Sequence, residues 1–150
     1  MDKATTGNLS FRLLKRSELT MISAINYQIF KEKRLINSLN HHILISLAAF
    51  IDQRPVGFKI GYGLSNFKFY SAKGGVLPKY RRQGIATRLL YIMLREAGRN
   101  NFTHFYYDTF PENYPGMYHL GLQEGFKVDF TKWNKQYKDY QVRLYRRIQN

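Results

Sequence analysis

The sequence has no cysteine among its 150 residues, and that absence excludes several kinds of site. Disulfide bonds, zinc ribbons and thiol nucleophiles all require cysteine. Because proteins without disulfides are at home in reducing compartments, we expect this chain to be cytoplasmic.

Long hydrophobic runs are also missing. The longest apolar run, at residues 43–51, is about half of what a membrane-spanning helix needs. The first residues, "MDKATTGNLSF", lack the apolar core of a signal peptide. We therefore predict neither a membrane span nor a secretory signal.

Acidic residues are few, with 10 Asp and Glu against 24 Lys and Arg, for a net charge of +14. Such an excess favours polyanionic partners, namely nucleic acid, a phosphorylated cofactor or anionic lipid. The alternative is a basic surface that is simply solvated. The stretch "KWNKQYKDYQVRLYRR" at residues 132–147 interleaves aromatic and basic residues. That pattern is typical of single-stranded nucleic-acid binding, and equally of two antiparallel strands with polar outer faces.

The remaining pattern predicts one domain over residues 1–150, since the apolar content of 44% is enough for a core. Ser17 is a possible N-cap for the first helix, and the polar segment 31–42 leaves a second short helix open. Strands are predicted at residues 10–15, 43–51, 56–64, 66–76, 103–109, 126–133 and 140–147, and helices at 18–30, 84–98 and 114–123. This order indicates an α/β protein with a mixed sheet and helices on its faces.

The segment "GGVLPKYRRQGIATRLL" at residues 74–90 carries the clearest functional signal. A strand ends before Pro78, and a helix begins at Gly84. The start of a helix offers unpaired amides and a positive dipole end, where phosphates bind. Gly84 lets a phosphate approach the backbone, and Arg81 and Arg82 add charge beside it. The alternative is a surface turn with solvated arginines.

Residues 81–86, "RRQGIA", fit the Q/R-x-x-G-x-G/A pattern of the GCN5-related N-acetyltransferases, the GNAT superfamily. The preceding "GGVLPKY" resembles the family's fourth strand. The segment "DQRPVGFKIGY" at 52–62 resembles its hairpin of strands 2 and 3, and "LQEGF" at 122–126 the close of its last helix. The sequence is similar to this family most clearly from residue 44 to residue 126.

The resemblance implies a mostly antiparallel central sheet splayed between strands 4 and 5, with helices on both faces. It also implies transfer of an acetyl group from acetyl-CoA to a primary amine by direct attack in a ternary complex. A β-bulge at Gly74–Gly75 would supply an amide to the developing oxyanion. The cofactor-binding residues that it implies are Gly75, Val76, Arg81, Arg82, Gln83, Gly84, Ile85, Ala86, Thr87 and Asn113.

The catalytic residues are less clear. Many family members place a tyrosine four residues before the Gly of "GF" as the acid that protonates the leaving thiolate, and here that position is Gly121. Tyr118, one turn earlier, is the candidate substitute, with packing as its alternative role. Asp108 and Glu112 are the candidate bases, although Asp108 could instead cap a turn and a water chain could replace both.

Several questions stay open at this level. Two other classes remain beside the enzyme, namely a nucleic-acid binder and a CoA-binding protein without catalysis. The chain is expected to be a monomer or a homodimer. The four histidines lack metal-ligand spacing, so no metal is expected. The aromatic residues that could shape the acceptor pocket are Tyr62, Phe67, Phe69, Tyr70, Tyr106 and Tyr107.

Overall fold

The computed structural model describes residues 7–41 and 43–149, so His42 lies outside the described residues. Seven strands form one sheet in the order β1-β2-β3-β4-β5-β7-β6, in which only β4 and β5 run parallel. The strands are β1 (Leu9–Leu13), β2 (Leu44–Ile51), β3 (Arg54–Gly63), β4 (Lys68–Val76), β5 (His104–Thr109), β6 (Lys127–Asn134) and β7 (Asp139–Arg147). The helices are α1 (Thr20–Phe30), α2 (Ile85–Arg99) and α3 (Pro115–Gln123).

Helices cover both faces of the sheet. Strand β2 is buried along almost its whole length, which is why its sequence is a continuous apolar run and does not alternate. Helix α1 packs Ile22 and Ile25 against one face, and α2 packs Leu89 and Met93 against the other, with α3 beside it. The predicted mixed sheet between two helical layers is confirmed.

The hairpin of β2 and β3 is also confirmed, with a tighter turn than the sequence indicates. Ile51 pairs with Arg54, so only Asp52 and Gln53 form the loop. Their φ values are +50° and +69°, as a two-residue turn requires for the right-handed twist of the strands. Pro55 therefore lies within the strand.

Two possibilities that the sequence left open in the N-terminal part are not realised in the structure. Helix α1 begins at Thr20, and its N-cap Leu19 makes no side-chain cap. Ser17 instead lies in a 3₁₀ turn, where Glu18 accepts a 2.9 Å hydrogen bond from the Lys15 amide. Residues 31–41 contain no helix.

That segment is held by tertiary contacts. The buried Asn26 side chain donates to the carbonyls of Glu32, at 2.8 Å, and Arg34, at 3.3 Å. These bonds anchor an irregular chain that carries no helical repeat of its own.

The sheet opens between β4 and β5. Their pairing runs from Lys68 opposite His104 only as far as Ser71 opposite Tyr107. Beyond Ser71, β4 continues along β3 to Val76, while β5 continues along β7. The two strands diverge from this point, and the predicted splay is confirmed.

The predicted bulge is displaced. The register of β3 with β4 shifts where Ile60 pairs with Lys73 and Gly61 with Ser71. Ala72 is therefore the extra residue, and Gly74 and Gly75 sit in regular pairing with Lys59 and Phe58. Glycine is permissive of a bulge but is not required for one.

Candidate active site

A cleft of about 1430 Å³ occupies the opening between β4 and β5 and reaches both faces of the sheet. One end is formed by the loop before α2 and the other by the start of α3 and the segment after α1. Its volume exceeds that of a typical small-molecule pocket, about 300–1,000 Å³. The cleft has room for a long ligand and a second reactant.

The start of α2 is shaped to receive an anion. Gly84 has a φ of +80°, and nothing lies within 4 Å of the place where a Cβ would stand. Arg82 also has a positive φ, of +63°, so the loop coils tightly before the helix. The first paired helix amide is that of Arg88, which donates to Gly84 at 3.0 Å, and the amides of residues 85–87 lack a partner within the helix.

These groups fit a diphosphate, which needs several converging amides and an open approach. Of the predicted cofactor residues in and around the loop, Arg81, Arg82, Gly84, Ile85, Ala86 and Thr87 line the cleft. Gln83 is not among the described lining residues.

Strand β4 offers a backbone edge that continues from this loop. The Leu77 amide donates to Val56 on β3 at 2.9 Å, so alternation turns the polar groups of Val76 toward the opening. The Val76 carbonyl accepts a 2.9 Å hydrogen bond from Arg81 Nε. Its amide is left facing the side where β4 has no strand partner.

A protein-family model for the acetyltransferase (GNAT) family matches residues 13–121. The chain belongs to the GNAT family. Acetyl-CoA is the co-substrate of this family, as expected from the sequence.

Solved structures show the same fold at low sequence identity. A GNAT-family acetyltransferase from Streptococcus pneumoniae is 12% identical with a TM-score of 0.76, over 95% of this chain and 100% of that one. The ribosomal-protein-S18-alanine N-acetyltransferase from Escherichia coli is 13% identical with a TM-score of 0.75, over 95% and 96%. An aminoglycoside 6'-N-acetyltransferase complexed with coenzyme A is 14% identical with a TM-score of 0.74, over 94% and 98%. A comparison with curated proteins returns no match.

Asp108 lies in the cleft of this GNAT chain, but its oxygens are occupied. Arg143 donates to both of them, at 2.7 and 3.0 Å, Tyr70 donates at 2.9 Å and Gln141 at 2.6 Å. Burial, followed by the Asp108 charge, raises the pKa of Tyr70, and the bond to Asp108 raises that of Arg143. A carboxylate with four donors is a poor proton acceptor, so the geometry favours a structural role over that of a base.

Two other predicted catalytic residues are poorly placed. Glu112 is exposed and is not among the described residues that line the cleft. Tyr118 does not line it either, because its ring packs against the core under α2 and α3. The geometry supports neither as an acid or base.

Asn113 lines the cleft, but its side chain is engaged. Its Nδ2 donates to the Tyr137 carbonyl at 2.7 Å, and its amide donates to the buried Asp139 carboxylate at 2.9 Å. The same carboxylate accepts from the Glu112 amide at 3.0 Å. These contacts fix the loop that leads into α3.

Gly121 lacks a side chain because another residue fills the space. A Cβ at Gly121 would overlap the Tyr107 hydroxyl and the Leu144 side chain. That hydroxyl donates to the Met117 carbonyl at 2.8 Å. Tyr107, from β5, thus fills the space next to Gly121 of α3.

The predicted aromatic residues divide into two groups. Tyr62, Tyr70 and Tyr107 line the cleft. Phe69 is in the core, Phe67 is exposed at the opposite end of β4, and Tyr106 stacks on Tyr145. Strand alternation predicts such a division but not which residue falls on which side.

Glu32 and Lys59 are among the lining residues that the sequence analysis did not single out. Glu32 follows α1 and forms an ion pair with Lys73, and it lies in the segment without a pattern. Lys59 stands in an otherwise apolar stretch of β3, where an alternating strand would turn it toward solvent. In the described residues no group of three metal-ligating side chains occurs, and none of the described helices is long and apolar enough to cross a membrane.

Proposed function

We propose that this protein is an N-acetyltransferase that transfers an acetyl group from acetyl-CoA to a primary amine by direct attack in a ternary complex. The observation that carries the proposal is the phosphate seat at Gly84, continuous with the free backbone edge of β4. Family membership supplies the acetyl-transfer class, and a neighbour of the same fold holds coenzyme A.

The donor half of the cleft would hold the cofactor through backbone groups. The amides that open α2 and the positive end of its dipole would bind the diphosphate, with Arg82 at the rim. The Val76 amide would bind an amide carbonyl of the pantetheine arm as a neighbouring strand does. The thioester would then reach the point where β4 and β5 meet.

The acceptor half lies on the α1 side of the sheet. Glu32 receives a 3.4 Å hydrogen bond from Tyr137, whose ring packs on Phe110 with centroids 4.3 Å apart. Glu32 and Asp108 balance Lys73 and Arg143 in this half, so a cationic amine would not meet an excess of buried positive charge there, although the chain has a net charge of +14. An amine acceptor is therefore compatible with the local charge of this half.

The test is calorimetric titration of the protein with acetyl-CoA, using the variant Gly84→Glu. The added carboxylate would occupy the phosphate seat, so we expect affinity to fall about 100-fold or more, equivalent to about 3 kcal/mol. Arg95→Glu is the matched control, since Arg95 is exposed on α2 and outside the described lining of the cleft. Absence of binding by the folded wild type would overturn the proposal.

Turnover is then sought by following release of the CoA thiol with a panel of amines, including N-terminal peptides and polyamines. Binding of CoA without turnover across the panel would favour a CoA-binding protein that does no chemistry. The cytoplasmic location and a monomeric or dimeric state stay predictions, to be checked by cell fractionation and analytical ultracentrifugation.

A nucleic-acid-bound acceptor is the second candidate, favoured by one surface. Strand β6 is exposed at the edge of the sheet, and Trp133 and Tyr140 are each 54% exposed with ring centroids 5.2 Å apart. Lys132 and Lys138 are exposed beside them. Salt-dependent binding of single-stranded RNA that is weakened by Trp133→Ala would support this candidate.

A further inference from the structure

Lys59 is a cation enclosed within the cleft. It lies on β3, lines the cleft and is only 5% exposed. Its ammonium has no hydrogen-bond or ion-pair partner among the described residues. Burial without a partner disfavours the charged form, and it lowers the pKa of Lys59 from 10.5 to about 8.

The path of the side chain depends on a glycine of β4. Lys59 pairs with Gly74, and a Cβ at Gly74 would stand 3.3 Å from Lys59 Cγ. The absence of that Cβ lets the lysine stem cross β4 toward the opening of the sheet. The ammonium lies 5.7 Å from the centroid of the Tyr107 ring, within range of a cation–π interaction.

Tyr107 places that ammonium at the closed end of the splay. Its partner Ser71 is the last residue of β4 to pair with β5. A cofactor held with its diphosphate at Gly84 and its arm along Val76 and Gly74 would bring its sulfur toward this end. The Tyr107 hydroxyl also fills the space beside Gly121, which itself has no side chain to offer a proton.

Tyr107 is less suited than Lys59 to supply a proton. Its hydroxyl already donates to the Met117 carbonyl, and burial raises its pKa. The Lys59 ammonium has no competing acceptor among the described residues, and its acidity is close to that of a thiol. Proton transfer is most efficient between groups matched in this way near the working pH.

We propose that the Lys59 ammonium is the proton donor to the leaving thiolate of coenzyme A, in a proposal that rests on the acetyltransferase function above. The amine nitrogen forms a bond to the acetyl carbon, and the carbon–sulfur bond breaks with its electron pair on sulfur. A proton passes from Lys59 Nζ to that sulfur, which leaves a neutral lysine and a thiol. Solvent then restores the proton to Lys59, and the acceptor amine releases its own proton.

Burial is the cause of the lowered pKa of Lys59, and the charged groups around it do not account for the shift. Tyr107 contacts it from β5, and its neighbour on β4 is Gly74, which carries no charge. His119 from α3 lines the same cleft. Asp108 and Lys73 also line it but belong to the opposite face, where each has its own partner.

The experiment measures the thiol pKa of bound CoA by ultraviolet thiolate absorbance, after calorimetry has established binding. It compares the wild type with Lys59→Met and with Lys73→Met, which removes the paired lysine of the same cleft. A cation beside the sulfur lowers its pKa by about 1 to 3 units. We expect this lowering in the wild type and in Lys73→Met, and its loss in Lys59→Met.

Equal thiol pKa values in the wild type and Lys59→Met would overturn the role of Lys59 while CoA binding stands. No binding of CoA by the folded wild type would overturn the acetyltransferase function and, with it, this proposal. If Lys59→Met does not fold, NMR of wild-type protein with labelled lysine replaces it. The Lys59 pKa should then rise when the CoA thiolate is bound, and an unchanged value would refute the proposal.

A kinetic signature follows once an acceptor amine is known. Lys59→Met should lower kcat about 100-fold, as loss of a general acid does, with little change in the KM for acetyl-CoA. In the wild type, kcat should fall as the pH rises past the Lys59 pKa. Equal losses in Lys73→Met would show that the charge of the cleft, and not proton donation, is responsible.

Discussion

The two halves of the cleft treat positive charge in opposite ways. On the α1 side, Lys73 pairs with Glu32, and Arg143 binds Asp108 through two hydrogen bonds. On the α2 side, Lys59 is buried without a charged partner. Lys59 and Lys73 come from neighbouring pairs of the same two strands, Lys59 with Gly74 and Ile60 with Lys73. Strand alternation places one lysine on each face of the sheet. Among the described residues that line the cleft, the acidic side chains, Glu32 and Asp108, are on the α1 side.

The partly buried charges of the acceptor half are therefore paired, whereas the buried lysine of the donor half has no charged partner among the described residues. A buried unpaired charge is costly, and such groups persist mainly at functional sites. Because Gly74 and Gly121 have no side chains, Lys59 and Tyr107 can occupy the adjacent space. Substitutions of the charged residues can therefore separate the two halves by the sign of their effect on stability.

The largest loss of stability is expected from a substitution at Gly121, which lies beside Tyr107 in the donor half. Gly121→Ala places a Cβ against the Tyr107 hydroxyl and Leu144, and overpacking of this kind costs about 3 kcal/mol. Tyr107→Phe removes the hydroxyl and should recover part of that loss. Urea unfolding of the two single variants and the double variant measures the coupling. Additive losses would mean that Tyr107 does not fill the place of the missing side chain.

Lys59→Met should increase stability, by about 2 kcal/mol at neutral pH. The folded-state pKa of about 8 lies below the usual 10.5, so folding below pH 8 must retain a disfavoured charge. The penalty fades as the pH rises from about 8 to 10.5, because the folded protein has released the proton in that range while the unfolded chain still holds it. The gain of Lys59→Met should therefore shrink over that range, as thermal unfolding at several pH values would measure. Lys73→Met, its control, should be neutral or destabilising.

Asp108→Asn should lower the free energy of unfolding by about 1.5 kcal/mol, whereas Lys59→Met should raise it. The change leaves Arg143, which is partly buried, without its anionic acceptor. Urea unfolding measures the loss. If Asp108→Asn abolished turnover at unchanged stability, Asp108 would be a base after all and not a structural acceptor.

The smallest change in stability is expected for a substitution outside both halves of the cleft. Trp133→Ala alters an exposed side chain on an edge strand, so stability should change by no more than about 0.5 kcal/mol. Calorimetric affinity for acetyl-CoA should also stay at the wild-type value. A weakened affinity would mean that the cofactor site extends to β6. Trp133→Ala could then not serve as the neutral reference for the variants of Gly121, Lys59 and Asp108.

Much of this arrangement was determined by local sequence. The apolar run of β2, the presence of a turn after it and the helix that begins beyond Gly84 follow from residue type and spacing. The phosphate seat is equally local, because a glycine with positive φ and the first amides of a helix lie within a few consecutive residues. These features were predictable because their contacts are close in the chain.

The tertiary structure decided the remainder. Asp108 is a poor base because Tyr70, Gln141 and Arg143, each more than 30 residues away, converge on its oxygens. The bulge at Ala72 depends on the register between two strands, which no single strand encodes. The burial of Lys59 could not be predicted from the sequence, because strand alternation would place a lysine in solvent. In the structure both faces of β3 are covered, and they enclose the side chain. Local propensity specified the elements, but residues distant in the chain determined that the Asp108 carboxylate is paired and that Lys59 is buried with no charged partner among the described residues.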